Sequence, residues 1–264
     1  SGAAIGDAGI ENYKLASGDD TFTVAANNGG LIGGKQNVDA SSGGNDTLVL
    51  GAGTFTGTYA GLGAGDTLKL TGDADIKGVN GGLVTGAKTV DFGNAGISVA
   101  MTLAQHNDFT QPFTGTTGTQ TITLSTSGVA TGDGGIEQYV LSSGDDTFTV
   151  AKDNGAFTQN VDVSSGGNDN VVFGTGTFTG AINGLGAGDT VVFTGNADIT
   201  GATGTTPPDT VSFSDANISV KMTDGTHFIF NQPFTKTSNT QTITLTSAFS
   251  APVVGDVGIE NYVL

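Results

Sequence analysis

Aspartate recurs at one place in this chain, directly ahead of a short apolar run. Asp20 precedes "TFTV", Asp46 precedes "TLVL" and Asp66 precedes "TLKL". Asp146, Asp169 and Asp189 stand ahead of "TFTV", "NVVF" and "TVVF", and Asp209 extends the series, with Lys88 at its matching place. Asp19 and Asp145 sit beside the first acid of each series, Asn45 and Asn168 supply further oxygens, and Asp39 and Asp162 fall on the facing strand. If the segments stack in register at ~4.8 Å, neighbouring carboxylates repel by about 1 kcal/mol in water. Ca2+ would offset that repulsion. It takes six to eight oxygens and mixes carboxylates with backbone carbonyls, which a glycine-rich turn can bring close to an ion. The predicted metal ligands are therefore Asp19, Asp20, Asn45, Asp46, Asp66, Asp145, Asp146, Asn168, Asp169 and Asp189. The competing reading makes each Asp a turn cap, its side chain bonded to nearby backbone.

Other chemistry is poorly supplied. His106 and His227 occupy matching places, but neither has a second His at ligand spacing, so each reads as a packed or turn residue. "GLGAGDT" lacks the Lys and the helix of a phosphate loop and ends in a repelling Asp. Paired carboxylates could hydrolyse a polysaccharide. The acids recur identically in both copies, however, and there is no Trp and no Arg. Thr-x-Thr pairs such as Thr21 and Thr23 fall on some coils only, and strand preference explains them without ice binding. The expectation is a protein without catalytic residues and without an organic cofactor.

The elements that must carry these residues are set by two periods. "GDAGIENYKL" at Gly6 returns as "GDGGIEQYVL" at Gly132 and "GDVGIENYVL" at Gly255, a repeat of about 125 residues. The copies are placed at 9–134 and 135–257, with 1–8 ending a preceding repeat and 258–264 opening a third. The parent chain is therefore expected to continue on both sides. Within each copy, strand-like runs recur about every 21 residues, the length of one solenoid coil. In those runs Phe22 and Val24, Leu48 and Leu50, Leu68 and Leu70, and Val90 and Phe92 alternate with Thr, Val, Lys or Asp at the outward position. Stacking would turn the pairs into two continuous apolar ladders. The predicted fold is all-β, an elongated right-handed parallel β-solenoid (β-helix or β-roll-like) of about twelve coils. "SVAMTLAQHNDF", from Ser98, is the weak helical candidate, and its Val and Ile neighbours favour strand. Pro207 and Pro208 mark a loop that bulges from the sheet.

"GGND" followed by "TLVL", and "SGDDTFTV", resemble halves of the glycine- and aspartate-rich nonapeptide of RTX proteins. The wider texture is similar to RTX-like bacterial S-layer proteins and giant secreted adhesins. The resemblance implies calcium-bound β-rolls or β-helices and type I secretion, with Asp20, Asp46, Asp146 and Asp169 as motif aspartates and Asp66 and Asp189 as weaker ones. No two nonapeptides follow in tandem, which argues against a regular roll of nine-residue half-turns.

A net charge of −17 argues against nucleic acid and anionic membrane surfaces. No apolar run approaches the ~20 residues needed to span a bilayer, and no disulfide can form without Cys. Together these readings predict an extracellular or cell-surface structural segment of an S-layer, filament or adhesin stalk. Its expected partners are copies of itself or flanking repeats, with cell-surface polysaccharide as a further candidate. The rival is a ligand-binding adhesin module, for which "THFIF" at Thr226 is the best candidate, because copy one has the polar "QHNDF" there.

Overall fold

The computed structural model describes residues 1–7, 9–27, 35–80, 89–109, 113–115, 118–155, 157–204, 206–230, 234–235, 240–246, 255–256 and 258–264. Lys88 lies outside them. The chain divides into two compact units, Ser1–Ser125 and Thr126–Leu264. The division falls ahead of the repeat boundary read at 134/135, because a periodic sequence fixes the length of a period and not its starting phase.

Each unit is a β-solenoid whose strands pair in parallel, one turn on the next. In unit 1 the main face stacks Ala3–Ile5, Thr21–Val24, Thr47–Leu50, Thr67–Leu70, Thr89–Phe92 and Thr114–Gly115 in sequence order. In unit 2 it stacks Val129–Thr131, Thr147–Val150, Asn170–Phe173, Thr190–Phe193, Thr210–Phe213 and Phe234–Thr235. Six stacked strands enclose five turns, so the two units hold about ten turns, not twelve. The expectation of twelve counted strands where it should have counted the steps between them.

Shorter parallel stacks form the other faces. In unit 1, Asn12–Lys14 pairs with Asn37–Asp39 and that with Tyr59–Ala60, while Gly53–Thr54, Ala74–Asp75, Ser98–Met101 and Thr121–Leu124 form another stack. Unit 2 repeats the scheme from Gln138–Val140 and from Gly176–Thr177.

Register puts like on like. Phe22, Leu48, Leu68 and Val90 align on neighbouring turns, as do Val24, Leu50, Leu70 and Phe92. All eight are buried, and the residues between them are partly exposed. Burying such a side chain is worth about 1.5–3 kcal/mol, but only once the next turn covers it, so the stack is the cooperative unit. In unit 2 three rungs of the second ladder are aromatic, with Phe173 against Phe193 at 5.7 Å between ring centroids and Phe193 against Phe213 at 5.5 Å.

One element corrects the reading from strand preference. Leu103–Asp108 and Asp224–Ile229 are short helices, α1 and α2. Their starts are fixed by capping. The Thr102 hydroxyl accepts from the Gln105 N–H while the Gln105 side chain accepts from the Thr102 N–H, a closed capping box. Thr223 caps α2 in the same way from the Thr226 N–H. Ser98–Met101 remains a strand, so the predicted strand is right for the first third of that segment. Among the described residues no helix is long and apolar enough to cross a membrane.

Candidate functional site

All ten predicted ligand residues gather at one corner of the main face in their own unit, and hydrogen bonds explain how. Thr21–Val24, Thr47–Leu50 and Thr67–Leu70 in unit 1, and Thr147–Val150, Asn170–Phe173 and Thr190–Phe193 in unit 2, are each entered from a glycine-containing turn that ends in Asp. In unit 1 the Asp20 N–H donates to Asp46 Oδ1 at 2.9 Å, and the Asp46 N–H donates to Asp66 Oδ1 at 2.6 Å. In unit 2 the column runs from the Gly128 N–H to Asp146 Oδ1 at 2.7 Å. It continues from the Asp146 N–H to Asp169 Oδ1 at 2.9 Å and from the Asp169 N–H to Asp189 Oδ1 at 2.8 Å. Each carboxylate thus accepts from the backbone of the turn before it. Charge-assisted bonds of this kind are about twice as strong as neutral ones. The aspartates act between turns, where a simple cap would act within one.

The second oxygen closes the Asp's own turn at most corners. Asp20 Oδ2 accepts from the Ala16 N–H, and Asp146 Oδ2 accepts from both the N–H and the hydroxyl of Ser142. Asp66 Oδ2 accepts from the Gly63 N–H, and Asp189 Oδ2 from the Gly186 N–H at 2.7 Å. The "GGND" corners differ. Asp46 Oδ2 and Asp169 Oδ2 are buried with no hydrogen-bond partner among the described residues. Their turns reverse through two successive left-handed glycines, Gly43 and Gly44 or Gly166 and Gly167. A Cβ at Gly44 would lie 2.3 Å from the Gly18 carbonyl oxygen, and one at Gly167 would lie 2.5 Å from that of Gly144. Glycine is needed there both for φ and for close stacking.

Burial sets the electrostatics of these two aspartates. It pushes Asp169 up to about 6, helped by the charges of Asp146, Asp189 and Asp145 and opposed by the bond from the Asp146 N–H. Asp46 is raised for the same reason, with Asp66, Asp20 and Asp19 as its neighbouring charges.

The flanking residues join these columns. The Asn45 N–H donates to Asp19 Oδ1 at 2.8 Å, and the Asn168 N–H donates to Asp145 Oδ1 at 2.9 Å. Asp39 and Asp162 stay apart, each closing a turn onto the N–H of Ser41 or Ser164. Among the described residues, no three or more His, Cys, Asp or Glu side chains gather as a metal-holding group. Toward calcium, each unit offers one orphaned buried oxygen, with Asp19 or Asp145 as a neighbouring charge. The histidines pack on rings, His106 on Phe113 at 5.7 Å and His227 on Phe234 at 5.6 Å.

The sequence reading passed over a second set of buried polar residues. Gln120 Oε1 accepts from the Ile97 N–H while its Nε2 donates to the Asn94 carbonyl, both at 3.1 Å. Gln241 makes the matching pair with Ile218 and Asp215. Gln36 and Gln159 likewise bridge Ala25 to Asp7 and Ala151 to Asp133. All four are buried. The available signal was a polar residue returning at the same place in both copies, as in "QNVD" and "TQTITL".

No protein-family model, no curated protein and no solved structure matches this chain.

Proposed function

We propose that the chain is an architectural segment of a bacterial extracellular or cell-surface protein, an S-layer, filament or adhesin stalk, and that it acts without catalysis. The observation behind this reading is that the chemistry-bearing side chains recur in both units and bond one turn to the next. An active site would instead break the repeat at one place. The acidic, Cys-free composition suits a chain exported unfolded and assembled outside the cell.

Calcium belongs to this proposal at the "GGND" corners alone. There it would meet Asp46 Oδ2 with Asp19, or Asp169 Oδ2 with Asp145. Two carboxylates are few for calcium, so backbone carbonyls and water would complete its six to eight oxygens. An ion that binds the folded chain and not the unfolded one raises stability by linkage. The rival occupant of each orphaned oxygen is a proton.

Two measurements test the proposal. An antibody against the chain should label intact producing cells; label found only after lysis contradicts the surface assignment. Thermal unfolding at pH 7 should shift upward in millimolar calcium relative to EDTA, and the shift should vanish in the Asp46→Asn/Asp169→Asn double variant. Identical curves in calcium and EDTA would remove the ion and leave the proton.

A further inference from the structure

Unit 2 contains a cavity of about 260 Å³ beneath α2, lined mainly by apolar side chains. The repeat shows how it arises, because equivalent positions can be read in both units. In unit 1 Gln105 is buried, and its Nε2 donates to the carbonyls of Ile76 at 2.7 Å and Val79 at 3.1 Å. This side chain plugs the space between helix and solenoid. In unit 2 its place is taken by Thr226, which is too short to reach and turns its hydroxyl onto Thr223 Oγ1 at 2.9 Å.

The neighbours shrink together. Val79 is replaced by Ala202, Ala104 by Gly225, Leu68 by Val191 and Tyr59 by Ile182, while the changes from Leu50 to Phe173 and from Asp108 to Ile229 add bulk. Five residues become smaller around one point, and all five replacements line the cavity. Ile199 and Ala202 are the counterparts of Ile76 and Val79, whose carbonyls accept from the Gln105 amide in unit 1, and both residues line the cavity.

The outer face of the helix changes too. Asn107 and Asp108 of α1 are replaced by Phe228 and Ile229 in α2, which are 75% and 37% exposed. Large apolar side chains held in water next to a cavity are a feature of binding sites. A hollow core and an apolar rim are separate changes, and they meet at α2.

We propose that this cavity binds a small, mainly apolar molecule carrying one hydrogen-bond donor. The donor replaces the Gln105 amide at the carbonyls of Ile199 and Ala202, and the apolar body replaces the missing side-chain bulk. A dry cavity of about 150 Å³ holds benzene, so this one suits a molecule of about ten non-hydrogen atoms. A short alkylphenol has that size and that single donor. The site is independent of the corner chemistry and of where the protein resides.

The test is a titration of the whole chain with 4-propylphenol, followed by NMR of the isoleucine methyl groups. The expected result is saturable movement of the Ile182 and Ile199 methyls with a stoichiometry of one. Affinity should fall at least tenfold in the Gly225→Ala/Thr226→Gln variant, which restores the residues of unit 1. If that variant fails to fold, Ala202→Val reads out the same loss. 4-Propyltoluene, which lacks the donor, should bind several-fold more weakly. Absence of saturation, methyl shifts elsewhere, unchanged affinity in a folded filled variant, or equal binding of 4-propyltoluene would overturn the proposal.

Discussion

Gln120 and Gln241 hold matching places in the two units and make the same pair of backbone bonds across a turn. Gln105 and Thr226 also match in position, yet one fills its pocket and the other leaves a cavity. The difference separates two kinds of residue in one repeat. The glutamines and the Asp46/Asp169 and Asp66/Asp189 pairs that join successive turns are the same in both copies, because an unpaired buried N–H there costs about 1–3 kcal/mol. Residues under the helix are free to change, because the solenoid closes without them. The aspartate columns belong to the first kind and the face around α2 to the second.

The largest expected effect tests the first kind. Gly57 and Gly180 are equivalent, and a Cβ would come within 1.6 Å of the Gln36 carbonyl oxygen or 1.8 Å of the Gln159 carbonyl oxygen. Either Gly→Ala change should cost about 3 kcal/mol in urea unfolding, the upper end for overpacking, and by similar amounts in both units. A loss in one unit only would break the equivalence. Next, Gln120→Ala and Gln241→Ala each strand a buried N–H of Ile97 or Ile218 and should cost about 2 kcal/mol, again alike.

The pH dependence sharpens the comparison within the Asp column. Asp169 titrates at about 6 in the folded chain against an ordinary value of 3.8. The folded state therefore holds the extra proton between those values, and the Asp169 contribution to stability rises as pH falls from 6 toward 4. Above pH 6 the buried charge destabilises in full. Asp169→Asn should raise the melting temperature at pH 7 and flatten this part of the profile. The smallest effect belongs to the variable face. Phe228→Asn, at 75% exposure, should change stability by no more than about 0.5 kcal/mol.

The apolar ladders were legible in the sequence because period-two alternation at Phe22, Leu48, Leu68 and their partners needs only local pattern plus a stacking period. The gathering of Asp20, Asp46 and Asp66 was legible for the same reason. What the carboxylates bond to was not, since the donors are backbone N–H groups about 20 residues away whose direction depends on turn geometry. The helices were hidden because six residues are too few for a periodicity. The signal for α1 was Thr102 followed three residues later by Gln105, a capping box read as strand texture. The cavity could not be read from either copy alone. It is visible only as the sum of several small substitutions around a point that the fold defines.

The most direct test of turn-to-turn bonding by side chains is native-state amide hydrogen exchange at Asp20, Asp46, Asp146 and Asp169. These amides lie outside strands, and side-chain carboxylates are their acceptors. The account predicts strong protection, matched between Asp20 and Asp146 and comparable to that of neighbouring strand amides. Exchange at the rate of open turns would mean that the aspartates merely line the corner and do not hold it.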